Sequence, residues 1–265
     1  MANVCAMSDY RSKMHHRVMH ALPFVPSRKR QKGFEIERHY GDWSLKMEAF
    51  ETLNHYDLIT LLLIAREYLR GNFEELGYKD GDTRKRVRIR LDIVRLVKER
   101  GLHNQRTNRM SLIRSLERFH SCKFEVRQNG EITKSWVISD MRWDDEQGRW
   151  AEIDCNERFL SWCAKGILVN WKRLSDYGNN GNAVLLDAYL QGTKQRKGGR
   201  WMYRNWIDAD TAINIIDPHG QLPRKEAMRQ LREAFAMMQR HGMPRYEYDR
   251  VYQRWVRQDE MRSEV

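Results

Sequence analysis

Arginine is concentrated in residues 104–119, which have the sequence NQRTNRMSLIRSLERF. The stretch contains four arginines, and Glu117 is its only acidic residue. Arginine binds guanine edges and phosphates in a bidentate manner, asparagine and glutamine pair with adenine, and serine and threonine hydrogen-bond to either target. These residue types therefore indicate contacts with base edges and with a nucleic-acid backbone. The candidate DNA-binding residues of this stretch are Asn104, Gln105, Arg106, Thr107, Ser111, Arg114 and Arg118.

The apolar residues of the same stretch recur with helical spacing. At 100° per residue they fall within about 120° of arc, the usual width of a core-facing stripe. They are Leu112, Ile113, Leu116 and Phe119. The opposite side of the predicted helix carries Thr107, Ser111, Arg114, Ser115 and Arg118. An ordinary solvated helix is the alternative, but such a helix usually mixes acidic with basic residues. We therefore expect the second side to face a polyanion.

A second set of basic residues lies in the other half of the chain. Residues 222–242 predict a helix in which Glu226 and Glu233 could pair with Arg229 at i,i+3 and i,i+4 spacing. The segment TKQRKGGRWMYR, residues 193–204, has five basic residues and no acidic one, which is typical of a phosphate clamp or of a plain basic loop. The candidate DNA-binding residues here are Lys194, Arg196, Lys197, Arg200, Arg224, Lys225, Arg229 and Arg232.

The overall charge also favours a polyanionic partner. The 265 residues include 48 Lys and Arg against 36 Asp and Glu, a formal net charge of +12. Such an imbalance is typical of nucleic-acid binding first and of anionic membranes second. No apolar run is long enough to span a bilayer, and the N-terminus lacks the apolar core of a signal peptide, so we expect a cytoplasmic location.

Patterns that would indicate an enzyme or a metal site are incomplete. His103–Arg106 matches the HxxR of tyrosine recombinases, but no tyrosine occurs between Tyr78 and Tyr177 to act as the nucleophile. Asp144-Asp145-Glu146 precedes Gly148 and indicates a solvated turn rather than a nuclease site. The four cysteines lack zinc-ligand spacing, so we expect reduced, buried thiols. We therefore expect a non-enzymatic protein without metal or cofactor.

The elements that would position the arginine-rich helix follow a recognisable order. A hairpin over 33–50 turns at Gly41-Asp42, and Asn129-Gly130 marks a second hairpin after the helix, because Asn-Gly between alternating runs is a strong hairpin signal. Between them the patterns predict a helix at 54–71, a strand at 86–91, a helix at 92–101 and the helix at 104–119. Helix, strand, helix, helix and hairpin is the order of a winged helix.

The second half repeats this order without repeating the sequence. It predicts a helix at 182–191, a strand-like stretch at 199–206, helices at 208–217 and 222–242, and a closing hairpin or strand. Residues 151–178, which join the halves, predict strand, short helix, strand and turn. We therefore expect an α+β protein of two tandem winged-helix domains. The predicted divisions are a flexible basic arm at 1–33, domains at 34–150 and 151–257, and a tail at 258–265.

Several motifs in both halves are similar to those of a known family. The first half contains YGDWSL, DLITLLLIARE, MSLIRSLERFHSCKFEV and KSWVISDMRW, and the second contains AEIDCNERFLSW, NWKRLSDYGNNGNAVLLDAYLQG and RKEAMRQLREAFAMMQRHG. With these motifs the chain resembles the plasmid replication initiators of the TrfA group, relatives of the iteron-binding Rep initiators. The resemblance covers about residues 33–257 and consists of spaced apolar positions and short motifs. The first 30 residues and the segment GGRWMYRNW depart from it.

This resemblance implies a bacterial protein that binds direct repeats of double-stranded DNA in a plasmid origin. It implies that both winged helices of a monomer bind, that an adjacent AT-rich stretch opens, and that the host initiator and the replicative helicase are recruited. Dimers would repress their own promoter, so a monomer–dimer equilibrium is implied as well. By position, 107–119 and 223–241 would be the groove-contacting helices. The alternative is a winged-helix transcriptional repressor on an inverted-repeat operator, since operator symmetry mirrors protein symmetry.

Overall fold

The computed structural model describes residues 11–14, 24–26, 32–40, 43–76, 85–128, 130–157, 159–160, 167–197 and 200–258. These residues form a mixed α and β fold with seven helices and five antiparallel sheets, as the predicted α+β class requires. The helices of this part of the chain are α1 (His55–Leu69), α2 (Ile93–Glu99), α3 (Arg106–His120), α4 (Trp171–Asp176), α5 (Gly181–Gly192), α6 (Ala209–Ile216) and α7 (Arg224–Arg240).

The described part of the chain also contains fifteen strands. They are β1 (Arg11–Met14), β2 (Lys32–Tyr40), β3 (Trp43–Glu51), β4 (Phe73–Leu76), β5 (Arg86–Asp92), β6 (Lys123–Gln128), β7 (Glu131–Trp136), β8 (Ile138–Trp143), β9 (Trp150–Asn156), β10 (Ile167–Asn170), β11 (Gln195–Lys197), β12 (Arg200–Met202), β13 (Trp206–Asp208), β14 (Tyr246–Asp249) and β15 (Arg254–Arg257). The helices and hairpins predicted in both halves are confirmed. The single strand-like stretch predicted at 199–206 is instead interrupted, because β12 ends at Met202 and β13 begins at Trp206.

Local sequence explains where the helices of the first half begin and end. Asn54 and Asp57 form a reciprocal capping box at the start of α1, and the Asp92 side chain accepts a hydrogen bond from the Arg95 amide at the start of α2. Gly101 follows α2 with a φ of 73°, a left-handed conformation that glycine adopts without strain. This sharp stop leaves only a short connection before α3 begins at Arg106.

The two halves share one strand order. In the first half β5 precedes α2 and pairs with β9, the last strand of the following hairpin, within the sheet β4-β5-β9-β8. In the second half β13 precedes α6 and pairs with β15, again the last strand of the following hairpin, within the sheet β13-β15-β14. Each half therefore contains a helix, a strand, two helices and a hairpin in this order, with the same pairing between strand and hairpin. The first half has β4, β6 and β7 in addition, and the second has β11 and β12.

The hairpin that pairs with β5 is not the predicted one. The Asn129-Gly130 hairpin forms, but its strands β6 and β7 extend the sheet β2-β3-β6-β7 beside the N-terminal hairpin. The partner of β5 is the next hairpin, β8–β9, whose connection spans residues 144–149. Since strand pairing is a long-range choice, the Asn-Gly turn signal fixes a hairpin but not its neighbour.

The predicted domain boundaries also differ from the structure, because strands pair with residues far away in the chain. The division between 150 and 151 cuts through β9, which belongs to the first half through β5. The described residues of the predicted flexible basic arm at 1–33 are held by the rest of the chain. β1 pairs with β10, and Phe24 and Val25 are buried, because the Val25 amide donates to the Leu53 carbonyl and its carbonyl accepts from the His55 amide. Residues 259–265 of the predicted tail lie outside the described residues.

Helix α1 joins the two halves. It contacts α3 and β5 on one side and α4 and α5 on the other, and one continuous cluster of buried residues runs through both halves. Charged residues of α1 are buried along with its apolar ones, among them Asp57, Arg66 and Glu67. A helix enclosed by neighbours on several sides buries charged residues, and each then needs a partner.

Glu67 lies at the centre of such a set of partners. Its carboxylate accepts hydrogen bonds from Arg66 at 2.8 Å, Arg95 at 2.7 Å and Asn72 at 2.8 Å. Burial by itself raises the pKa of Glu67, but the hydrogen bonds from Arg95 and Asn72 outweigh burial, so this pKa lies below its usual value. Glu67 is therefore a charged residue that links α1 to α2.

Two of the four cysteines lie in the described part of the chain. Cys122 and Cys155 are buried free thiols, as predicted, while Cys5 and Cys163 lie outside the described residues. Burial raises the pKa of the Cys122 thiol, which keeps it protonated.

No helix within the described ranges is both long enough and apolar enough to cross a membrane.

Candidate nucleic-acid interface

The N-terminal half of α3 is open to solvent on one side. The exposure that was predicted for this face is confirmed for Asn104, Gln105, Arg106, Thr107, Ser111 and Arg114. Gln105 caps the helix in an extended conformation without a side-chain hydrogen bond, and the first turn holds no acidic residue. Its first amides are therefore left for an anion, which the helix dipole also favours. Contact of these residues with DNA stays a prediction.

The C-terminal half of α3 differs from the prediction. Arg118 was placed on the open face with Ser115, but both side chains are buried. Arg118 donates from Nη2 to the Asp57 carboxylate at 2.7 Å, and Ser115 donates from its hydroxyl to the same oxygen at 2.5 Å. The reason is that α1 packs across this part of α3 and buries Asp57 completely. Arg118 therefore neutralises a buried carboxylate and is not available on the surface.

The turn between β8 and β9 holds the start of α3 in place. Arg106 donates from Nε to the Glu146 carbonyl at 3.0 Å, and Arg109 donates from Nε to the Gln147 carbonyl at 2.7 Å. Arg109 also donates to the Asn104 side chain at 2.8 Å. Arg109 is not among the predicted site residues, although its charge and its place between Arg106 and Ser111 are apparent in the sequence. Its role here is to orient Asn104 and the turn.

This turn, residues 144–149, carries negative charge and is called the acidic turn below. Asp144 accepts hydrogen bonds from the backbone amides of Gln147 and Arg149, which lower its pKa. Asp145 and Glu146 are exposed beside the start of α3. The solvated turn expected from the sequence is confirmed. Its carboxylates oppose the approach of phosphates on this side of the helix.

Helix α7 presents the corresponding face in the second half. Lys225 and Arg232 are exposed, and neither has a carboxylate within 4 Å among the residues that the structure describes. Arg229 is also exposed, but it forms ion pairs with Glu226 and Glu233 at the predicted spacing. The Arg229 hydrogen bond, aided by Gln230, lowers the pKa of Glu226 to about 2. The charge of Arg229 is thus compensated, whereas those of Lys225 and Arg232 are not.

Arg224, the first residue of α7, has a positioning role. Its guanidinium donates to Asp210 of α6 at 2.6 Å and to the Gln253 side chain at 3.0 Å. Gln253 belongs to the turn between β14 and β15. The candidate Arg224 therefore ties the start of α7 to α6 and to the closing hairpin, as Arg106 ties α3 to the acidic turn.

The basic segment 193–204 forms a small hairpin. Strands β11 and β12 pair with Lys197 opposite Arg200, next to the segment's two glycines. The Lys194 ammonium lies 4.3 Å from the ring centroid of Tyr203, within cation–π distance. The side chains of the candidates Arg196, Lys197 and Arg200 lie outside what the structure describes. The segment is thus a short hairpin that follows α5 in the chain, and its contact with phosphates stays a prediction.

Comparisons with known proteins identify a fold. No protein-family model matches the sequence, and no curated protein sequence matches it. A solved structure of RctB domains 2-3 (RctB-155-483) has a TM-score of 0.58 at 10% identity, over 91% of this chain and 97% of that chain. A selenomethionine derivative of domains 2 and 3 of RctB has a TM-score of 0.55 at 11% identity, over 82% and 83%. At such identities the likeness is one of fold, and it extends over both halves.

Proposed function

We propose that this protein is a replication initiator that binds double-stranded DNA sequence-specifically through two winged-helix domains. The observation that carries the proposal is the repeated unit, in which the third helix of each half begins with an arginine held by the following hairpin turn. In a winged helix the third helix enters the major groove and uses residues near its N-terminus. In this protein the open part of α3 is its N-terminal half.

The residues assigned to DNA contact have exposed side chains, and those that are charged have no carboxylate partner among the described residues. In the first half these are Thr107, Ser111 and Arg114 on α3, preceded by Asn104 and Gln105. In the second half they are Lys225 and Arg232 on α7. Arg114, Asn104, Gln105 and Lys225 supply the contacts that distinguish bases, and Arg232 contacts a phosphate. Arg106 and Arg224 orient the helices, and Arg118 stabilises the core.

Two likenesses support an initiator rather than another DNA-binding protein. The fold is similar to domains 2-3 of RctB, a replication initiator. The sequence motifs resemble plasmid initiators of the TrfA group, which bind direct repeats of an origin. Two winged helices in one chain also suit a monomer on tandem repeats. We propose a plasmid origin as the target, with origin opening and recruitment of the host initiator and replicative helicase, in the bacterial cytoplasm and without enzymatic activity.

The test is footprinting of the purified protein on the DNA that flanks its own gene. We expect protection of regularly phased direct repeats with both strands intact. A single protected palindrome over the promoter would make the protein a repressor, and cleaved strands would make it an enzyme. Arg127→Ala serves as the matched control for Arg114→Ala in the same assay. It removes an exposed arginine of β6, which lies in the sheet β2-β3-β6-β7 and not on α3.

A further inference from the structure

The turn between β14 and β15 exposes two large apolar side chains. Val251 is 84% exposed and Tyr252 is 67% exposed, and they follow each other at the end of a short hairpin. Residues 250–253 are called the apolar turn below. Single exposed apolar residues are common, but an adjacent aliphatic and aromatic pair at the end of a hairpin needs a reason.

The apolar turn is held rigidly. The Asp249 carboxylate accepts hydrogen bonds from the amides of Val251 at 2.9 Å and Tyr252 at 3.2 Å. Gln253 adopts a φ of 48°, which is rare for a residue other than glycine. Its carbonyl accepts from the Ala209 amide at 2.9 Å, and its side chain accepts from Arg224. The turn is thus fastened to the first residues of α6 and α7, and its apolar side chains are presented in a fixed direction.

The cations around the apolar turn indicate what it binds. Arg250, the first residue of the turn, is exposed. The Arg254 guanidinium follows the turn and lies 4.6 Å from the Tyr252 ring centroid and 5.6 Å from that of Trp206. Within the described part of the chain, no carboxylate lies within 4 Å of the Arg254 guanidinium. Apolar residues flanked by arginines are the composition of protein segments that enter the minor groove and wedge between base pairs.

The first half provides a contrast at the same topological position. The acidic turn connects β8 and β9, and this hairpin pairs with the strand before the second helix, as β14–β15 does in the other half. The acidic turn also contacts the third helix. Its exposed residues include Asp145 and Glu146, and it carries no apolar residue between Asp144 and Arg149. Carboxylates are repelled by the phosphates that border a groove. The two hairpins therefore differ in the ligand that they can approach.

We propose that the apolar turn inserts Val251 and Tyr252 into the minor groove beside the site contacted by α7, where they unstack one base step and bend the duplex. This inference rests on the proposed DNA-binding function and adds a second, deforming contact to it. Arg250 and Arg254 hold the flanking phosphates. Pyrimidine–purine steps are the easiest to unstack, and narrow A·T-rich minor grooves attract arginine. The inserted step is therefore expected to be a pyrimidine–purine step such as TA, with A·T pairs beside it.

The experiment uses the full chain and a duplex that contains one footprinted repeat. 2-Aminopurine is placed at successive steps to report unstacking, and fluorophores at the duplex ends report bending. Wild-type protein is expected to raise 2-aminopurine fluorescence at one step only and to shorten the end-to-end distance. Val251→Ser/Tyr252→Ser is expected to lose both signals and to bind about tenfold more weakly, while α7 still protects its bases.

The outcomes separate this inference from the proposed function. Tyr252→Phe keeps the wedge and is the matched control, and thermal melting checks that each variant is folded. Binding and bending that are unchanged in the double serine variant would overturn the inference and leave the function standing. The inference would also be overturned if the double serine variant lost binding to anionic phosphatidylserine vesicles but bent DNA like wild type. The turn would then be a membrane contact. No binding of wild-type protein to any flanking DNA would overturn the function itself.

Discussion

Arg106 and Arg224 occupy equivalent positions in the two halves. Each is the first residue of the third helix, and each binds the turn of the closing hairpin, Arg106 at the Glu146 carbonyl and Arg224 at the Gln253 side chain, both at 3.0 Å. The acceptors differ, a backbone oxygen in one half and a side-chain oxygen in the other. The shared result is that helix and turn form one rigid surface, which reduces the ordering cost of binding.

Replacing Arg114 by alanine is expected to reduce affinity for the specific repeat about 10- to 100-fold, while non-specific affinity falls little. A bidentate base contact contributes roughly 1–3 kcal/mol of discrimination, whereas a phosphate contact is shared by every sequence. Competition binding with repeat and scrambled duplexes measures both affinities. The control Arg127→Ala should change neither the affinity for the repeat nor the affinity for the scrambled duplex. Equal losses on the two duplexes would make Arg114 a phosphate contact.

Replacing Arg118 by alanine is expected to destabilise the fold by about 3 kcal/mol, because it leaves the Asp57 carboxylate buried without its cation. Urea unfolding gives the free energy. At urea concentrations below its unfolding transition, the folded Arg118→Ala protein should bind the repeat with nearly wild-type affinity. Specific binding that is lost at unchanged stability would return Arg118 to the DNA-contacting surface.

The sequence predicted the elements well because their signals are local. Periodicity, Asp92 as a cap and Gly101 as a stop are properties of a few neighbouring residues, and the helices formed where they indicated. The arginine face of α3 followed from the same periodicity. An isolated helical projection assumes packing on one side, however, and α3 is covered on two sides at its C-terminal end. The burial of Arg118 therefore depended on α1, about 60 residues earlier in the chain.

Long-range choices were outside the reach of local patterns. The partner of β5 is decided by competition between two hairpins, and the stronger turn signal, Asn129-Gly130, belongs to the hairpin that pairs elsewhere. The apolar turn was missed because Val251 and Tyr252 lie within a segment whose pattern predicts only a closing hairpin or strand. An exposed aromatic residue at a turn can be distinguished from a buried one only once the strands have been placed.

Glu67→Gln is expected to lower the free energy of unfolding by about 3 kcal/mol at neutral pH, since Arg66 and Arg95 lose their shared carboxylate. The folded-state pKa of Glu67 is depressed. Its contribution is thus fully present above the unfolded pKa of about 4.3 and is lost as the pH falls through the folded value. Urea unfolding of both proteins should show a difference that narrows below pH 4. A pH-independent difference would argue against a charged Glu67.

Arg232 and Arg229 provide a matched pair on one helix. Arg232→Ala is expected to reduce the slope of log K against log salt by about 0.9, the loss of one phosphate contact. Arg229→Ala should leave the slope nearly unchanged, because Glu226 and Glu233 already compensate its charge. Fluorescence anisotropy at several salt concentrations gives both slopes. Equal reductions would show that Arg229 exchanges its carboxylates for phosphates on binding.

Neutralising the acidic turn is expected to strengthen DNA binding. Asp145→Asn/Glu146→Gln removes two exposed carboxylates beside the start of α3, and it keeps the Arg106 hydrogen bond, whose acceptor is the Glu146 backbone carbonyl. The affinity should rise about 3- to 10-fold at low salt and converge with wild type at high salt, since exposed charges are screened.

The control for this pair is Glu131→Gln, an exposed carboxylate at the start of β7, which should leave affinity unchanged. A gain confined to non-specific DNA would indicate that the acidic turn serves discrimination by weakening every sequence-independent contact. A loss of affinity in the double variant would show instead that the carboxylates contact the bases, because cytosine offers an amino donor to such acceptors in the major groove. Either result distinguishes the acidic turn from the apolar turn, whose contribution comes from inserted side chains and survives high salt.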